Sequence, residues 1–328
     1  MRILAIETSC DETSVAVVEG RSIVYHKICS QVPHHKKYSG VVPEIASRLH
    51  ARVIADIIKK GLVKKPHVVG FTRGPGLKGS LLVGKIAAMC VGGYFGSKIV
   101  GVNHLEGHLL SCDIEDNFVN DLLEFPLVAL IVSGGHTELW YSQGYGMYKR
   151  IGRTRDDACG EAFDKVARII GLGYPGGPEI EKYANKAKKG YISFSVPNVP
   201  YSLDYSFSGI KTQVMYYVRE MKRITDCDRY EIAYAFQNAV CESLVKKLEI
   251  AAKRFRVKNL AVCGGVSANS YLRQLIKKRF KEYKVYMPHI KYTSDNAAMI
   301  AACIIRRLER GRFKNSLDID DCLVIENW

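Results

Sequence analysis

Ile3-Leu-Ala-Ile-Glu-Thr-Ser-Cys-Asp-Glu-Thr-Ser-Val-Ala-Val-Val18 opens the chain with an apolar stretch, a polar turn and a second apolar stretch. The same plan returns at 127–144, where Leu-Val-Ala-Leu-Ile-Val leads into Ser133-Gly-Gly-His-Thr137 and then Glu-Leu-Trp-Tyr. Aligned without a gap, the two segments share Ala5/Ala129, Ser9/Ser133, Thr13/Thr137 and Gly20/Gly144. Each segment predicts a strand, a tight turn and a strand, so together they indicate a duplicated domain.

Helical periodicity and short apolar strands alternate along the rest of the chain. We predict further strands at 68–71, 260–263 and 285–287 and one that ends at 102. An irregular aromatic stretch is predicted at 190–212. Helices are predicted at 44–60, 81–92, 156–172, 179–188, 230–255, 271–280 and from 293 onward. Such alternation predicts layered α/β domains. We expect one domain at 1–120, completed by the helix at 296–328, and a second domain at 121–295.

The composition is that of a globular protein with an unusual positive charge. Among 328 residues, 48 Lys and Arg oppose 33 Asp and Glu, which gives a formal net charge of +15. This excess predicts a polyanionic partner such as nucleic acid. Each short basic cluster by itself, for example 34–37, 186–189 or 306–312, is better explained as a solvated helix face, and only the total charge favours nucleic acid.

The chain carries no sequence signal for a membrane or an oxidising compartment. No apolar run reaches the roughly 18 residues of a membrane span. Ten scattered cysteines without a C-x-x-C pair predict buried thiols in a reducing environment. We therefore expect a cytoplasmic protein without membrane association.

Two histidines stand four residues apart in Asn103-His-Leu-Glu-Gly-His108. On a helix this spacing places both imidazoles on one face, and two imidazoles with a carboxylate are typical of a zinc or iron site. The pair alone is also compatible with a solvated helix face or a hydrogen-bonded core pair. A zinc peptidase is disfavoured, because H-E-x-x-H needs Glu directly after the first His, whereas Leu105 stands there and Glu106 follows.

Glycine-rich or small polar turns follow several predicted strands. Those near Ser9, Ser133 and Gly264 could hold phosphate through backbone N–H groups, which indicates a nucleotide or phosphoanhydride between the two halves. The loop Arg73-Gly-Pro-Gly-Leu-Lys-Gly-Ser80 also looks like a phosphate loop. It lacks the Walker ending, however, and close packing of loop and helix explains its glycines equally well.

The chain resembles the TsaD-type proteins of tRNA threonylcarbamoyladenosine biosynthesis over nearly its whole length. The matching runs lie at 6–13, 40–48, 74–77, 103–108, 132–137, 156–165, 174–178, 207–212, 264–269 and 294–300. The resemblance implies an α/β fold of two duplicated ribonuclease H-like, actin-like domains with the active site in the cleft between them. The chain is similar to bacterial and organellar members, because Ile131 stands where archaeal and eukaryotic members carry a metal-coordinating Tyr.

The resemblance also implies a reaction and the residues that perform it. Members move a threonylcarbamoyl group from threonylcarbamoyl-AMP to N6 of adenosine 37 in tRNAs that read codons beginning with A, and release AMP. The expected ligands of one divalent metal, Fe²⁺ first and Zn²⁺ second, are His104, His108 and Asp295, although Asp295 could instead cap the last helix. Asp11 and Glu12 are expected to act in the transfer. The adenine nucleotide, of the threonylcarbamoyl-AMP or ATP type, is expected at Ile131, Val132, Ser133, Gly134, Gly135, Asp164, Gly177, Glu181, Gly264, Gly265 and Asn269.

The implied partners are tRNA and accessory proteins. Bacterial members pair with an inactive paralogue of the same fold and a small P-loop ATPase, whereas organellar members can act as homodimers. Two other functions stay open: a non-catalytic ATP-binding regulator and a metalloprotease. The first has no need of a His, His, Asp set, and the position of Glu106 disfavours the second.

Overall fold

The computed structural model describes residues 1–188, 190–197, 199, 202–311, 315–325 and 327–328. Its internal contacts divide the chain into two units. Unit 1 comprises Met1–Leu123, Gly144–Tyr148 and Pro288–Trp328, and unit 2 comprises Glu124–Gln143 and Lys149–Met287. None of the described helices is both long enough and apolar enough to span a bilayer.

Strands and helices are numbered in chain order. The strands are β1 (Arg2–Glu7), β2 (Glu12–Glu19), β3 (Ser22–Ser30), β4 (Val68–Gly74), β5 (Lys98–Asn103), β6 (Ile114–Glu115), β7 (Phe118–Val119), β8 (Leu127–Val132), β9 (Thr137–Gly144), β10 (Met147–Arg153), β11 (Asn259–Cys263) and β12 (Lys284–Tyr286). The helices are α1 (Val32–His35), α2 (Pro43–Gly61), α3 (Lys78–Phe95), α4 (His104–Leu110), α5 (Cys159–Ile169), α6 (Gly176–Ala184), α7 (Ser208–Arg219), α8 (Asp226–Phe255), α9 (Ser270–Arg279) and α10 (Ala297–Arg310).

The two sheets repeat one topology. The first has the order β5-β4-β1-β2-β3-β7-β6 and the second has the order β10-β9-β8-β11-β12. In both, the opening pair, β1 with β2 and β8 with β9, is antiparallel, and the next strands, β4 and β11, lie parallel to the first strand of that pair. The second sheet read from β12 to β10 therefore reproduces the first from β5 to β3, which confirms the predicted duplication.

Helices cover both faces of the sheet in unit 1, so successive side chains of its central strands are buried on alternate faces. On one face of its sheet, Leu4 and Ile6 join Val69 and Phe71 in a core with residues of α2 and α3. On the other face, a Cβ added to Gly70 would collide with Ile304 of α10, so glycine lets this helix approach β4 closely. Each fully buried Leu or Ile stabilises the fold by roughly 1.5–3 kcal/mol.

Close packing also explains the glycines of the loop at 73–80. A Cβ on Gly74 would collide with the carbonyl oxygen of Asp320, and a Cβ on Gly76 would lie 2.6 Å from the carbonyl oxygen of Ser9. These glycines face protein backbone, so the structure favours packing over the predicted phosphate loop.

The structure also corrects several sequence-based expectations. The stretch predicted to be irregular contains the start of α7, and both β3 and β10 are strands that the sequence analysis omits. Buried thiols were expected throughout, yet three of the ten are exposed: Cys90, Cys227 and Cys322.

Two arginines predicted to lie in a basic surface cluster are buried instead. Arg306 pairs with Asp113 at 3.3 Å, and Arg307 pairs with Glu106 at 2.6 Å. They neutralise carboxylates inside unit 1, so the expected nucleic-acid surface does not include them. Lys189 and Arg312, which belong to two of the predicted clusters, lie outside the described residues.

Candidate functional site

The two histidines of the Asn103–His108 motif lie on α4. At the end of β5, Asn103 Oδ1 accepts hydrogen bonds from the N–H groups of Leu105 at 2.8 Å and Glu106 at 3.2 Å, and so caps the helix. The cap fixes the start of α4, which places His104 and His108 one turn apart with ring centroids 4.6 Å from each other. Both rings are buried.

Asp295 adds a carboxylate to this pair. It immediately precedes α10, and its Oδ1 lies 3.1 Å from His108 Nε2 and 3.5 Å from His104 Nε2. Asn296 caps the helix instead, because its Oδ1 accepts a hydrogen bond from Met299 N–H at 3.0 Å. The alternative role of Asp295 as the helix cap is therefore wrong.

The three side chains fit a divalent cation. The ligand atoms of His104, His108 and Asp295 all lie within 4.8 Å of one another, and two ligands about 2.1 Å from a shared ion are separated by about 3–4 Å. Both ring nitrogens of His108 are buried, and within the described part of the chain neither makes a hydrogen bond of good geometry, although Nε2 lies 3.1 Å from Asp295 Oδ1. A buried polar group without a hydrogen bond is costly, and metal coordination would remove that cost.

The electrostatics of the site favour positive charge. Burial alone would lower the pKa of His104, but the carboxylates of Asp295 and Glu7 raise this pKa well above its ordinary value. Burial would raise the pKa of Asp295, but His104 holds this pKa well below its ordinary value. The surroundings therefore stabilise a cation at this point.

Glu7, the last residue of β1, binds the far side of His104. Its Oε2 lies 3.0 Å from His104 Nδ1 and accepts a hydrogen bond from Thr72 Oγ1 at 2.6 Å, while its Oε1 accepts one from Ser9 N–H at 2.5 Å. A proton on Nδ1 shared with Glu7 leaves Nε2, the nitrogen that faces Asp295, as the ligand atom. Carboxylates commonly orient metal-binding histidines in this way.

Asp11 and Glu12 lie where the first hairpin turns into β2. Asp11 is buried, and its carbonyl oxygen accepts a hydrogen bond from Gln31 N–H at 2.9 Å. Burial raises the pKa of Glu12 well above its ordinary value, and the Asp11 and Asp295 carboxylates raise it further. The three acids are therefore electrostatically coupled within unit 1.

In unit 2, Ser133–Gly135 form the turn between β8 and β9. Ser133 N–H donates to the carbonyl oxygen of His136 at 2.8 Å, and His136 N–H donates to Ser133 Oγ at 3.2 Å. A Cβ on Gly134 or Gly135 would meet no atom within 4 Å, so this turn faces open space. The side chains of Ile131–Val132 are fully buried in β8, which leaves their backbone groups as the candidate contacts.

A second glycine turn packs directly against β8. Gly264 has φ of 90°, and a Cβ there would collide with the carbonyl oxygen of Val132, so this position requires glycine. Its neighbour Gly265 faces open space.

The remaining predicted nucleotide residues surround the start of α6. Asp164 Oδ1 accepts a hydrogen bond from Gly176 N–H at 2.6 Å, next to Gly177, which faces open space. Glu181 accepts hydrogen bonds from Ser270 N–H at 2.8 Å and Asn269 Nδ2 at 3.4 Å. Because α5 contacts both α6 and the short 3-10 helix after β11, these residues and the glycine turns lie in one region of unit 2.

Glu106 lies between the two histidines in the sequence, and both of its carboxylate oxygens have hydrogen-bond or ion-pair partners. Its Oε1 accepts hydrogen bonds from Tyr148 Oη at 3.1 Å and Trp328 Nε1 at 2.7 Å, and its Oε2 pairs with Arg307. The carboxylate is completely buried in this network. It therefore does not offer the general base that a zinc peptidase would require.

Comparison with known proteins shows the family. A family model described as TsaD, tRNA N6-adenosine threonylcarbamoyltransferase, matches residues 22–302. The chain belongs to this family. Relatives called tRNA N6-adenosine threonylcarbamoyltransferase include one from Kosmotoga olearia, 43% identical over 322 residues and 95% of each chain. Another, from Dictyoglomus turgidum, is 43% identical over 330 residues, which cover 97% of this chain and 96% of the relative.

Two solved structures are similar in fold at low sequence identity. Full-length HypF in its phosphate- and nucleotide-bound form aligns with a TM-score of 0.61 and 15% identity, over 94% of this chain and 56% of HypF. An activator of 2-hydroxyisocaproyl-CoA dehydratase from Clostridium difficile, with bound ADPNP, aligns with a TM-score of 0.52 and 15% identity, over 96% of this chain and 100% of the activator. These likenesses and the repeated sheet topology confirm the predicted fold class.

The sequence analysis did not identify Glu7, which contacts His104 Nδ1, or Thr72, which donates a hydrogen bond to Glu7. Glu7 carries a visible signal, since it ends the apolar run Ile3-Leu-Ala-Ile with a charge just before a turn. Thr72 carries none, because a threonine inside a strand is ordinary. Its bond to Glu7 depends on the parallel pairing of β1 with β4, which brings the ends of these strands together.

Proposed function

We propose that this chain is an acyltransferase that moves the threonylcarbamoyl group of threonylcarbamoyl-AMP to N6 of adenosine 37 in tRNAs that read codons beginning with A. The N6 amine attacks the carbamoyl carbonyl carbon, the bond from that carbon to the phosphate oxygen breaks, AMP leaves, and N6 loses one proton. The observation that carries the proposal is the cluster of the buried His104 and His108 with the half-buried Asp295 in a member of this family.

His104, His108 and Asp295 would hold one divalent metal, Fe²⁺ by family resemblance or Zn²⁺ as the alternative, since two imidazoles and a carboxylate suit both. When bound, the ion would polarise the threonylcarbamoyl carbonyl or hold that group in place. Glu7 orients His104 through Nδ1. Ile131 is buried in β8 of unit 2 and offers no ligand, so we infer that water or substrate completes the coordination.

The glycine turns of unit 2 would hold the adenylate. Open backbone at Ser133–Gly135 and Gly264–Gly265 offers N–H groups to phosphate, while the carboxylates of Asp164 and Glu181 can accept hydrogen bonds from ribose hydroxyls. Backbone groups of Ile131–Val132, together with Gly177 and Asn269, complete the proposed set.

Asp11 and Glu12 would act on the attacking amine. An exocyclic amine conjugated to adenine is a weak nucleophile, so orienting it and accepting its proton both assist attack. Glu12 suits this role, because burial raises its pKa well above the ordinary value and a carboxylate with a raised pKa accepts a proton more readily.

Transfer of label tests the function. Threonylcarbamoyl-AMP labelled in its threonine is added to unmodified tRNA and the protein, with candidate partner proteins added one at a time. With the wild-type protein we expect labelled tRNA and the release of one AMP per transfer. His104→Ala should abolish both products, and Asp11→Ala should abolish or strongly reduce them. A tRNA with guanosine at position 37 should acquire no label. Product absent under every combination of partners would favour the ATP-binding regulator, and glycoprotein cleavage abolished by His104→Ala would favour the metalloprotease.

We propose that the chain acts in the cytoplasm with tRNA and a partner subunit, either an inactive paralogue with a small P-loop ATPase or a second copy of itself. An exposed apolar stripe on α3, formed by Leu82, Ile86 and Met89, supports pairing with another protein surface. Transfer by the purified chain alone would support the homodimer, and transfer only after the paralogue and ATPase are added would support the first arrangement.

A further inference from the structure

Exposed basic and aromatic side chains follow β3 in unit 1. The helix α1 leads into a 3-10 turn at Lys36–Tyr38, and His34, Lys36, Lys37 and Tyr38 are all exposed. His35, in their midst, is completely buried. The segment therefore has an inner side that packs on the protein and an outer side that carries cations and one aromatic ring.

The inner side binds the turn that carries Asp11. Gln31 N–H donates to the carbonyl oxygen of Asp11 at 2.9 Å, and Gln31 Oε1 lies 3.2 Å from His35 Nε2. At the far end of the segment, Val42 N–H donates to His35 Nδ1 at 3.4 Å. His35 thus links the two ends of the segment, and Gln31 connects the segment to the hairpin turn.

The following helix α2 is tied to the same turn. His50 is fully buried, with its Nε2 2.9 Å from the carbonyl oxygen of Cys10 and its Nδ1 2.7 Å from Thr13 Oγ1. The residues on both sides of Asp11 and Glu12 are therefore fixed to 31–50. The exposed outer side of 34–38 therefore belongs to a segment whose flanking residues are anchored to the turn that carries the two acids of the proposed transfer.

The chemistry of the outer side suits nucleic acid. Lys37 Nζ lies 4.9 Å from the centre of the Tyr38 ring, and in the described part of the chain no carboxylate pairs with Lys36 or Lys37. Tyr38 is 48% exposed, so part of its ring is open to a stacking partner. Unpaired lysines contact phosphates and exposed aromatic rings stack on unpaired bases in proteins that bind single-stranded RNA.

We propose that the exposed face of residues 34–38 is an RNA-contact surface, on which Tyr38 stacks a base near the adenosine to be modified and Lys36 and Lys37 contact neighbouring phosphates. This inference depends on the proposed function, which supplies a tRNA anticodon loop as the substrate. It assigns positioning of the substrate to this surface and leaves the chemical step to the two acids.

Binding of an unmodified anticodon stem-loop, measured by fluorescence anisotropy over a range of salt concentrations, tests the surface. We expect Lys36→Ala/Lys37→Ala to reduce the slope of log K against log salt by about 0.7–0.9 per lost phosphate contact. Tyr38→Ala should weaken binding about tenfold, and Tyr38→Phe should restore it, because the ring stacks and the hydroxyl does not. The matched control is Lys59→Ala/Lys60→Ala, which removes two exposed charges from the last turn of α2.

The outcomes separate this inference from the function. A wild-type protein that neither binds nor modifies tRNA with any partner overturns both. If the wild-type protein modifies tRNA but the Lys36/Lys37 and Tyr38 variants bind like the Lys59/Lys60 control, the surface is wrong and the function stands. Metal content and the thermal unfolding midpoint, measured on every variant, exclude a folding defect as the cause.

Discussion

The fully buried carboxylate of Glu7 receives hydrogen bonds from Ser9 and Thr72 and contacts His104. These partners keep a charge in the interior that would otherwise be strongly unfavourable. The hydroxyl and backbone contacts alone would satisfy an amide almost equally well. The contact with His104 is different, because only a carboxylate accepts from Nδ1–H and also increases the basicity of Nε2.

Glu7→Gln should therefore lower metal affinity about 10–100-fold, the usual effect of losing a carboxylate behind a ligating histidine. Competition with a chromophoric chelator for Zn²⁺ measures the affinity, and the absorption spectrum of bound Co²⁺ reports a change in ligand geometry. Asp113→Asn is the matched control, since Asp113 is equally buried in unit 1 but pairs with Arg306. Equal metal affinity in Glu7→Gln and the wild type would contradict the assigned role.

His26 gives a prediction for pH. Burial lowers the pKa of this β3 side chain to about 4, with a contribution from Lys291, and its ring stacks on Tyr292. An unfolded histidine has a pKa near 6.5. The folded state binds fewer protons than the unfolded state between these values, so stability falls as the pH decreases from about 6.5 to 4.

Replacing His26 by Gln removes this one contribution. Between pH 7 and 4.5, the loss of unfolding free energy should be about 2 kcal/mol smaller in His26→Gln than in the wild type. Urea unfolding at the two pH values measures the difference, and the comparison cancels the titration of the other histidines. Parallel losses in the two proteins would show that His26 is not held neutral by the fold.

At the scale of elements, the start of α10 positions Asp295, the carboxylate of the proposed metal site. Asn296 Oδ1 caps the helix through Met299 N–H, and its Nδ2 donates to the carbonyl oxygens of Tyr292 at 3.3 Å and Ser294 at 2.7 Å. These bonds fix the backbone on both sides of Asp295. One fully buried side chain therefore sets both the helix start and the direction of the neighbouring ligand.

Asn296→Ala should cost about 1–3 kcal/mol of stability, from the lost cap and the buried carbonyl groups left without donors, and should also weaken metal binding. Chemical denaturation and chelator competition measure the two effects separately. Asn269→Ala is the control, because Asn269 caps α9 in unit 2 through Leu272 N–H at 2.9 Å. The control should lose stability without losing metal affinity; similar affinity in both variants would reject the link between cap and ligand.

Elements were predictable from the sequence where local patterns decide them. The long α8 shows helical periodicity, and it starts at Asp226 because Thr225 and Asp228 form a capping box that the prediction overlooked. The side chains of β3, from Ser22 to Ser30, are half-buried or exposed, so the strand has only a weak apolar pattern in the sequence. Its antiparallel pairing with β2 makes it a strand, and that pairing is not visible in the local sequence. Arg306 gave no local sign of burial, because its partner Asp113 lies about 190 residues earlier in the chain.

At the scale of the molecule, the candidate metal site draws on three distant parts of unit 1: the end of β1, the helix α4 and the residue before α10. The sequence could supply His104, His108 and Asp295 through motifs and family resemblance. The role of Glu7 in orienting His104 could not be predicted from the sequence, because it depends on which strands of the sheet are neighbours. The predicted nucleotide residues, in contrast, all belong to unit 2.

This division predicts that the two ligands protect different parts of the chain. Zn²⁺ at about 100 times its dissociation constant should stabilise the state that binds it by about 2.7 kcal/mol. In hydrogen exchange, we expect Zn²⁺ alone to slow exchange in β1, β5 and α10, and AMP alone to slow exchange around β8, α6 and β11. His108→Ala should abolish the first effect and leave the second. Protection of β8 and β11 by Zn²⁺, or loss of the AMP effect in His108→Ala, would show that the assignment of one ligand to each unit is wrong.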